Sequence, residues 1–387
     1  MNRQHNNTLS RRDFIRLAAV GAAGTALAAC APAAGPEAGS ESAAVAAEGT
    51  EVNITIAGWV DTAWQVTERA AEYNQALEGM QINIIPSPDG WETKALSQIA
   101  EGTPTWDGRL THHPFRIAVQ WLAQGLIMPI EEFMATSSVI DVDEFWADAI
   151  APEKIKFDCS VNGKVVGVPL GIDTCCQAFN ADLMREAGLP STREEFMAER
   201  SWANIQDWAE TLREKYQGDN VWGISTWNVY RQSLGAIFQS ITDDLYYAEE
   251  GLIRFDSEEM QQALTIQSQW SWSGVAPVPA WGQPNEAGDI FPGGRGALWQ
   301  GQVGVVGAAQ RVQGVETIPY AMPVLVEGGT GGNQWYTTCG YVLNKAQYPQ
   351  EVVDFYLTLF GPQNDTNADL TLKFNWFPVF ASQWEKQ

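Results

Sequence analysis

Residues 162–190 read NGKVVGVPLGIDTCCQAFNADLMREAGLP, and the reading of this stretch decides the fold. Asn162-Gly163 stands between apolar segments, the strongest short-range hairpin signal. It predicts a hairpin with arms over residues 155–161 and 164–169. A small-residue step follows at Gly171-Ile172-Asp173, then a short strand over residues 175–180. Asp182 is placed to cap a helix over residues 183–187, and Gly188-Leu189-Pro190 stops that helix. Taken alone, the pattern is hairpin, strand, capped helix.

The wording is more specific. Gly163-Lys164, Gly167 and Pro169, followed by Phe179-Asn180, Asp182-Leu183 and Ala187-Gly188-Leu189, resemble the first interlobe crossover of extracellular solute-binding proteins, in particular the sugar type (family 1). These are the receptors of ATP-binding-cassette importers. Further motifs occur in the same order along the chain. Gly102-Thr103-Pro104-Thr105-Trp106-Asp107 resembles a family turn before a short strand at residues 109–111. Gly125-Leu126-Ile127-Met128-Pro129-Ile130 resembles the stop after a helix over residues 115–124. Ser201-Trp202 resembles a helix start, with Ser201 as N-cap of a helix running to Lys215. Phe291-Pro292-Gly293-Gly294-Arg295-Gly296-Ala297-Leu298-Trp299-Gln300-Gly301 resembles a small-residue turn feeding a strand, with Val303 where the family often carries an aromatic. Ile318-Pro319-Tyr320-Ala321-Met322-Pro323 resembles a strand end, and residues 333–343 the strand returning to the first lobe. Asn375-Trp376-Phe377-Pro378-Val379 resembles the final element, beyond which the family continues with several helices. The chain here closes at Gln387, which leaves either a truncation or a short variant.

The resemblance implies a two-lobed α/β protein of the periplasmic-binding-protein type II fold, with doubly wound sheets and a hinge cleft. It implies a first lobe over residues 51–170, with residues 340–374 returning to it, a second lobe over 171–339 and a short tail over 375–387.

The N-terminus reads as an address. Ser10-Arg11-Arg12-Asp13-Phe14-Ile15-Arg16 matches a twin-arginine export signal, and the apolar stretch over residues 17–29 is too short and too rich in small residues for a spanning helix. Leu27-Ala28-Ala29-Cys30 reads as a lipobox, with cleavage before Cys30 and a diacylglycerol on its sulphur anchoring the protein to a membrane without spanning it. An ordinary cleavable signal with a chance cysteine is the other reading. Residues 30–50 hold no aromatic side chain and cannot bury enough apolar surface to offset their ordering entropy, so they read as a flexible tether. Roughly 337 residues remain, a length prior of about two domains.

Net charge is −24, and the leader itself is basic, so the remainder is more acidic still. That argues against nucleic acid and anionic lipid surfaces as partners, and permits neutral or cationic ligands. Besides Cys30 there are Cys159, Cys175, Cys176 and Cys339. They show no metal-ligand spacing. Cys159 paired with Cys175 or Cys176 across the hairpin base, and buried free thiols, are equally good readings. His112 and His113 are adjacent and on a strand point to opposite faces, so they make no metal grip.

From residue 52 the pattern is strand (52–57), helix (62–74), strand (80–85) and a further helix over 91–100. In such sheets ligands sit beyond the carboxyl ends of the strands, which puts Trp59 and Asp61 at a candidate cleft. Helices are also predicted over residues 234–241, 257–270 and 349–360, and a strand over 221–224. Of seventeen tryptophans, Trp59, Trp227, Trp281 and Trp335 lie in Gly/Pro/Asn-rich surroundings rather than periodic stripes. An indole face offers a flat apolar platform to the C–H face of a sugar, and Asp61, Asp107, Asp173 and Asn228 are candidate hydrogen-bonding partners for its hydroxyls. Catalytic motifs such as G-x-S-x-G, H-E-x-x-H or a P-loop are absent, and what the resemblance implies is a binding protein without cofactor or metal. The expected role is a monomeric, extracytoplasmic, lipid-tethered receptor that closes on a mono- or oligosaccharide and passes it to a membrane permease. Three rivals stand beside it: a receptor for a cationic solute (polyamine or peptide), a secreted carbohydrate-active enzyme, and a non-binding relative of such receptors.

Overall fold

In the computed structural model the described residues are 49–384, apart from 112–113, 218–219, 227–236, 238–245, 248–251, 254–255, 277–289, 303–305, 307–316, 321–334 and 375. Strand β1 (Thr50–Ile56) buries Val52, Ile54 and Ile56 at alternate positions, the period-2 pattern of a strand facing a core. It pairs in parallel with β2 (Met80–Pro86) on one edge and β3 (Gly108–Thr111) on the other. Between β1 and β2 run α1 (Gly58–Trp64) and α2 (Val66–Gln75), separated by Gln65 in the left-handed region at φ 49°. The single helix expected over 62–74 is therefore two, and Trp59 and Asp61 lie on α1 rather than in a loop. Helix α3 (Trp91–Glu101) joins β2 to β3, and α4 (Pro114–Ala123) leads away from β3.

Three short helices follow: α5 (Glu131–Thr136), α6 (Val142–Ala147) and α7 (Pro152–Asp158). The hairpin is then shorter than expected. It consists of β4 (Ser160–Val161) and β5 (Lys164–Val165), because α7 takes most of its first arm. Asn162 at φ 52° and Gly163 at φ 75° make the tight left-handed turn that the Asn-Gly pair predicts.

Strand β6 (Gly167–Asn180) is one continuous strand of 14 residues, with no break at Gly171 or Asp173. Its first half pairs antiparallel with β12 (Trp335–Val342), which on its other edge pairs with β3. Its second half pairs antiparallel with β10 (Gly296–Gln302) on one edge and β11 (Thr317–Tyr320) on the other, and β10 pairs in parallel with β7 (Trp222–Thr226). A separate small ribbon joins β8 (Tyr246–Tyr247) to β9 (Leu252–Ile253). The strand order is thus β2-β1-β3-β12-β6-β10-β7, and β6 belongs to both halves.

Two large hydrophobic clusters lie on either side of this crossover. The first runs from Val52 through Ile172 and includes Val352, Phe355 and Phe360 of α12 (Pro349–Phe360). Val379 and Phe380 belong to it too, so the segment after Phe374 packs into the first core instead of trailing from it. Sheet and helix approach closely here: a Cβ on Gly340 would lie 2.8 Å from the Tyr356 ring. The second cluster holds Phe179, Met184, Phe196, Ile205, Trp208, Leu212, Ile224 and Leu298. They come from β6, β7, β10, α8 (Ala181–Glu186), α9 (Arg193–Glu199) and α10 (Trp202–Lys215). Met260 and Trp270 of α11 (Glu258–Trp272) complete it. Gly223 lets the backbone of α10 settle on β7, since a Cβ there would strike the Ala209 carbonyl. The helix expected over 234–241, apart from Ile237, and the end of the 318–323 element lie outside the described residues.

Local signals fix the helix ends. Ser201 caps α10 by accepting from Asn204 N, and Thr192 and Glu195 form a reciprocal capping box on α9. At α8 the cap is Asn180, not Asp182: the Asn180 side chain accepts from Asp182 N and Leu183 N. Asp182 lies one position inside the helix instead, paired with Arg185 in an exposed bridge at 2.9 Å. Asn180→Ala should cost about 1 kcal/mol of stability, and Asp182→Ala less than about 0.5 kcal/mol. Urea unfolding curves of the two variants check this order.

Candidate functional site

The parallel strands β1, β2 and β3 end side by side at Ile56, Pro86 and Thr111. Trp59 lies in the first turn of α1, just after the end of β1, and is 41% exposed, a large apolar surface to leave in water. Its ring lies on Trp376, with centroids 5.6 Å apart and planes 25° apart. Trp376 in turn meets Trp64 edge-on at 4.8 Å and 81°. These are offset and edge-to-face arrangements that aromatic quadrupoles favour. Trp64 is fully buried, and its Nε1 donates to Thr371 Oγ1 at 3.2 Å on α13 (Asp365–Lys373).

The stack is pinned to the crossover strand. A Cβ on Gly171 would stand 2.9 Å from the Trp64 ring, so glycine lets the indole lie against β6. Asn367 of α13 donates to Leu170 O, and Ile172 and Phe377 exchange backbone hydrogen bonds of 2.8 and 3.0 Å. Phe377 itself stacks on Trp384 of α14 (Ala381–Trp384), with planes 11° apart. Trp59 therefore stands on a rigid base at the place where β6 leaves the first core.

The other expected site residues fall in different places. Asp173 is fully buried on β6, next to Ile172 and opposite Tyr336. Burial pushes the Cys176 thiol well above its ordinary range, and the Asp173 charge adds to this. Trp335 begins β12 opposite Thr174, so its backbone is at the crossover. Trp227, Asn228 and Trp281 lie outside the described residues. Asp61 has local partners: its carboxylate accepts from Thr67 N at 2.8 Å and Thr67 Oγ1 at 3.0 Å, holding the start of α2.

Asp107 sits before β3 begins, about 13 Å of strand back from Thr111, and is buried. Its carboxylate accepts from Asn53 N, Gln347 N and Tyr348 N, tying β1 to the entry of α12. The three amides occupy both oxygens and give Asp107 a structural role, away from the strand ends where Trp59 lies.

Two features of this region went unread in the sequence. Trp376 stands in the N-W-F-P element, but nothing local says it reaches Trp59, more than three hundred positions earlier. Arg109 is buried on β3 with its guanidinium over the Trp91 ring at 4.3 Å, and it donates to Ser87 Oγ just past the end of β2. Burial lowers its pKa to about 10, and the cation–π contact supplies part of the solvation it has lost. A separate open groove of about 840 Å³ lies on the first lobe, walled by Val119, Lys154, Lys156, Phe157 and Val161, and contains none of the expected site residues.

Comparison with known proteins agrees with this architecture. A family model described as bacterial extracellular solute-binding protein matches residues 68–382. The chain belongs to that family. Family membership places its work outside the cytoplasm and among binding proteins, and no described helix is long and apolar enough to cross a membrane. No curated protein matches the chain. Solved structures of similar fold include the substrate-binding protein Lmo0181 from Listeria monocytogenes in complex with cycloalternan, at TM-score 0.68 and 18% identity over 86% of this chain and 80% of that one. Maltose-bound MalE3 of T. maritima aligns at TM-score 0.67 and 16% identity, covering 87% and 83%. The cyclic α-maltosyl-1,6-maltose binding protein from Arthrobacter globiformis aligns at 0.63 and 17%, covering 86% and 80%. The fold is the two-lobed solute-binding type.

Asp107→Ala removes a buried acceptor from three part-buried backbone amides and should cost about 3 kcal/mol of stability. Asp61→Ala, at an exposed cap, should cost about 1 kcal/mol. Equilibrium urea unfolding of both variants reads the difference.

Proposed function

We propose that this solute-binding protein is the receptor of an ATP-binding-cassette importer for mono- or oligosaccharides, tethered to the membrane through a lipid on Cys30 after twin-arginine export. The observation that carries the ligand class is the Trp59–Trp376 stack at the carboxyl ends of the parallel strands, with Trp59 41% exposed. A sugar ring presents C–H bonds on one face and hydroxyls around its edge. A rigid indole buries the former at little entropic cost, and polar groups nearby must meet the latter, because a hydroxyl left without a partner is penalised. The saccharide ligands named for several structures of similar fold support the same class.

The action is lobe closure. Strand β6 is paired into both halves and β12 begins beside it at the crossover, so bending there would move one core against the other. A ligand that touches both lobes stabilises the closed state by the difference in its contacts between open and closed. Asp173 and Trp335 stand on these two strands and are proposed as ligand-facing or hinge-setting residues. Trp227, Asn228 and Trp281 are proposed as the second lobe's contribution. A receptor for a cationic solute would need free carboxylates, and Asp61 and Asp107 are already engaged by Thr67 and by backbone amides.

Titration of the full chain with maltose, maltotriose, a cyclic glucan and common monosaccharides, followed by tryptophan fluorescence and thermal shift, tests the reading. One sugar class should shift the melt and perturb the fluorescence, and Trp59→Ala should weaken that sugar by about 30-fold, the equivalent of about 2 kcal/mol. A cooperative melt that no sugar moves, or full affinity in the Trp59→Ala variant, would overturn it.

A further inference from the structure

Helix α7 ends against β12 in an unusual way. Asp158, its last residue, is buried, and its Oδ2 accepts from Thr337 N at 3.3 Å and Thr337 Oγ1 at 3.1 Å, while Lys154 pairs with the same carboxylate. Cys159 follows immediately and caps the helix. Its Sγ lies 3.4 Å from Sγ of Cys339, in direct sulphur contact, with both residues fully buried and 180 positions apart in the chain. The pairing of β12 with β6 shifts register between Thr338 and Cys339. The end of α7 thus grips β12 on both sides of that irregularity, by carboxylate at Thr337 and by sulphur at Cys339.

The surroundings hold the two sulphurs together. A Cβ on Gly167 would lie 2.9 Å from Cys339 Cβ and 3.3 Å from the Tyr341 ring, so the first residue of β6 closes one side of the pocket. Cys159 N donates to Ile155 O, and Val166 N to Cys159 O, so the Cys159 backbone is fixed as well. Bringing the sulphurs from contact to a bond of about 2.0 Å asks for about 1.4 Å of approach, within reach of small side-chain rotations. The pairings across the hairpin base are not what the structure assembles: Cys176 lies in another cluster with Ala178, Phe291 and Trp299.

We propose that Cys159 and Cys339 are joined as a disulfide in the extracytoplasmic protein. The bond forms by exchange with a disulfide donor of the thiol-oxidase class. The Cys159 thiolate attacks the donor disulfide and releases one donor thiol. The Cys339 thiolate then attacks Cys159 Sγ and releases the second. Two cysteine thiols are oxidised, one donor disulfide is reduced to two thiols, and the two protons end on the donor. Exchange precedes closure of the first core, because burial afterwards excludes the donor and raises the Cys339 thiol far above its ordinary range. The bond staples α7, and through it the hairpin that leads into β6, to β12. Both crossover strands are then held at their first-core end, and bending is left to the residues beyond.

The test uses the full chain recovered from the extracytoplasmic fraction of an expressing cell, unfolded and alkylated with iodoacetamide without reductant, then digested and mapped by mass spectrometry. The expected result is one linked peptide pair carrying Cys159 and Cys339. A Cys175→Ser/Cys176→Ser variant should keep that pair. Reductant during unfolding should lower the wild-type Tm by about 5 °C, as closure of so long a loop implies for a chain of this size. A Cys159→Ser/Cys339→Ser variant should melt at the reduced value and ignore reductant. Alkylation of both Cys159 and Cys339 in the unreduced sample, or linkage of Cys159 to Cys175 or Cys176, overturns the proposal. The peptide map reads the wild-type protein itself, so its result stands even if the variants fold poorly.

Discussion

Everything in this molecule depends on the continuity of β6. Fourteen residues of extended chain carry a backbone donor and acceptor each, save Pro169, and a buried strand must find partners for all of them. In its first half β12 supplies them along one edge, with Cys159, Asn367 and Phe377 along the other, and in its second half β10 and β11 do. One strand is therefore hydrogen-bonded into two sheets, each with its own core. A bend in a strand shared in this way costs little packing as long as neither core is opened. That is the physical basis for the lobe closure proposed above.

The aromatic stack exploits the same place. Trp59 comes from the first turn of α1, Trp64 from the end of that helix, Trp376 from the C-terminal segment, and Gly171 from the crossover strand itself. None of these is a strong ligand platform alone. Together they hold an exposed indole in one orientation, since Trp376 supports its face, Trp64 supports Trp376, and Thr371 fixes Trp64 by a hydrogen bond. A flat surface whose rotamer freedom has already been given up loses less entropy on binding than a mobile one.

Two of the chain's many carboxylates show how acidic residues can serve the fold instead of a ligand. Asp61 and Asp107 look alike in sequence, each beside a strand in a polar turn, yet the structure uses both to hold backbone. Asp61 caps a helix from the surface, and Asp107 satisfies three amides inside the protein. A buried carboxylate with three amide donors is stable without a counter-ion, because each donor is a dipole already aimed at it. The carboxylate of Asp158 is built into the first core in a related way, through Thr337 and Lys154.

Much of this was legible in the chain itself. The Asn-Gly turn, the Ser201 cap, the bounds of α12 and the alternation of β1 are local effects, written in residues a few positions apart, and the ordered motifs carried the two-lobed fold. What sequence could not give was the outcome of competition between distant partners. Asp182 is a good capping residue, but Asn180 takes that role because the last position of β6 sets its side chain over the helix start. By sequence Cys159 faces Cys175 or Cys176 across the hairpin base or stays a buried free thiol, and only the docking of α7 on β12 brings it to Cys339. Trp59 was visible as an aromatic after a strand, while its partner Trp376 lies more than three hundred residues later. Hydrogen-bonding propensity and apolar periodicity act over a few residues and so belong to the sequence; which surfaces finally share a contact is decided by packing, which exists only once the two cores have formed.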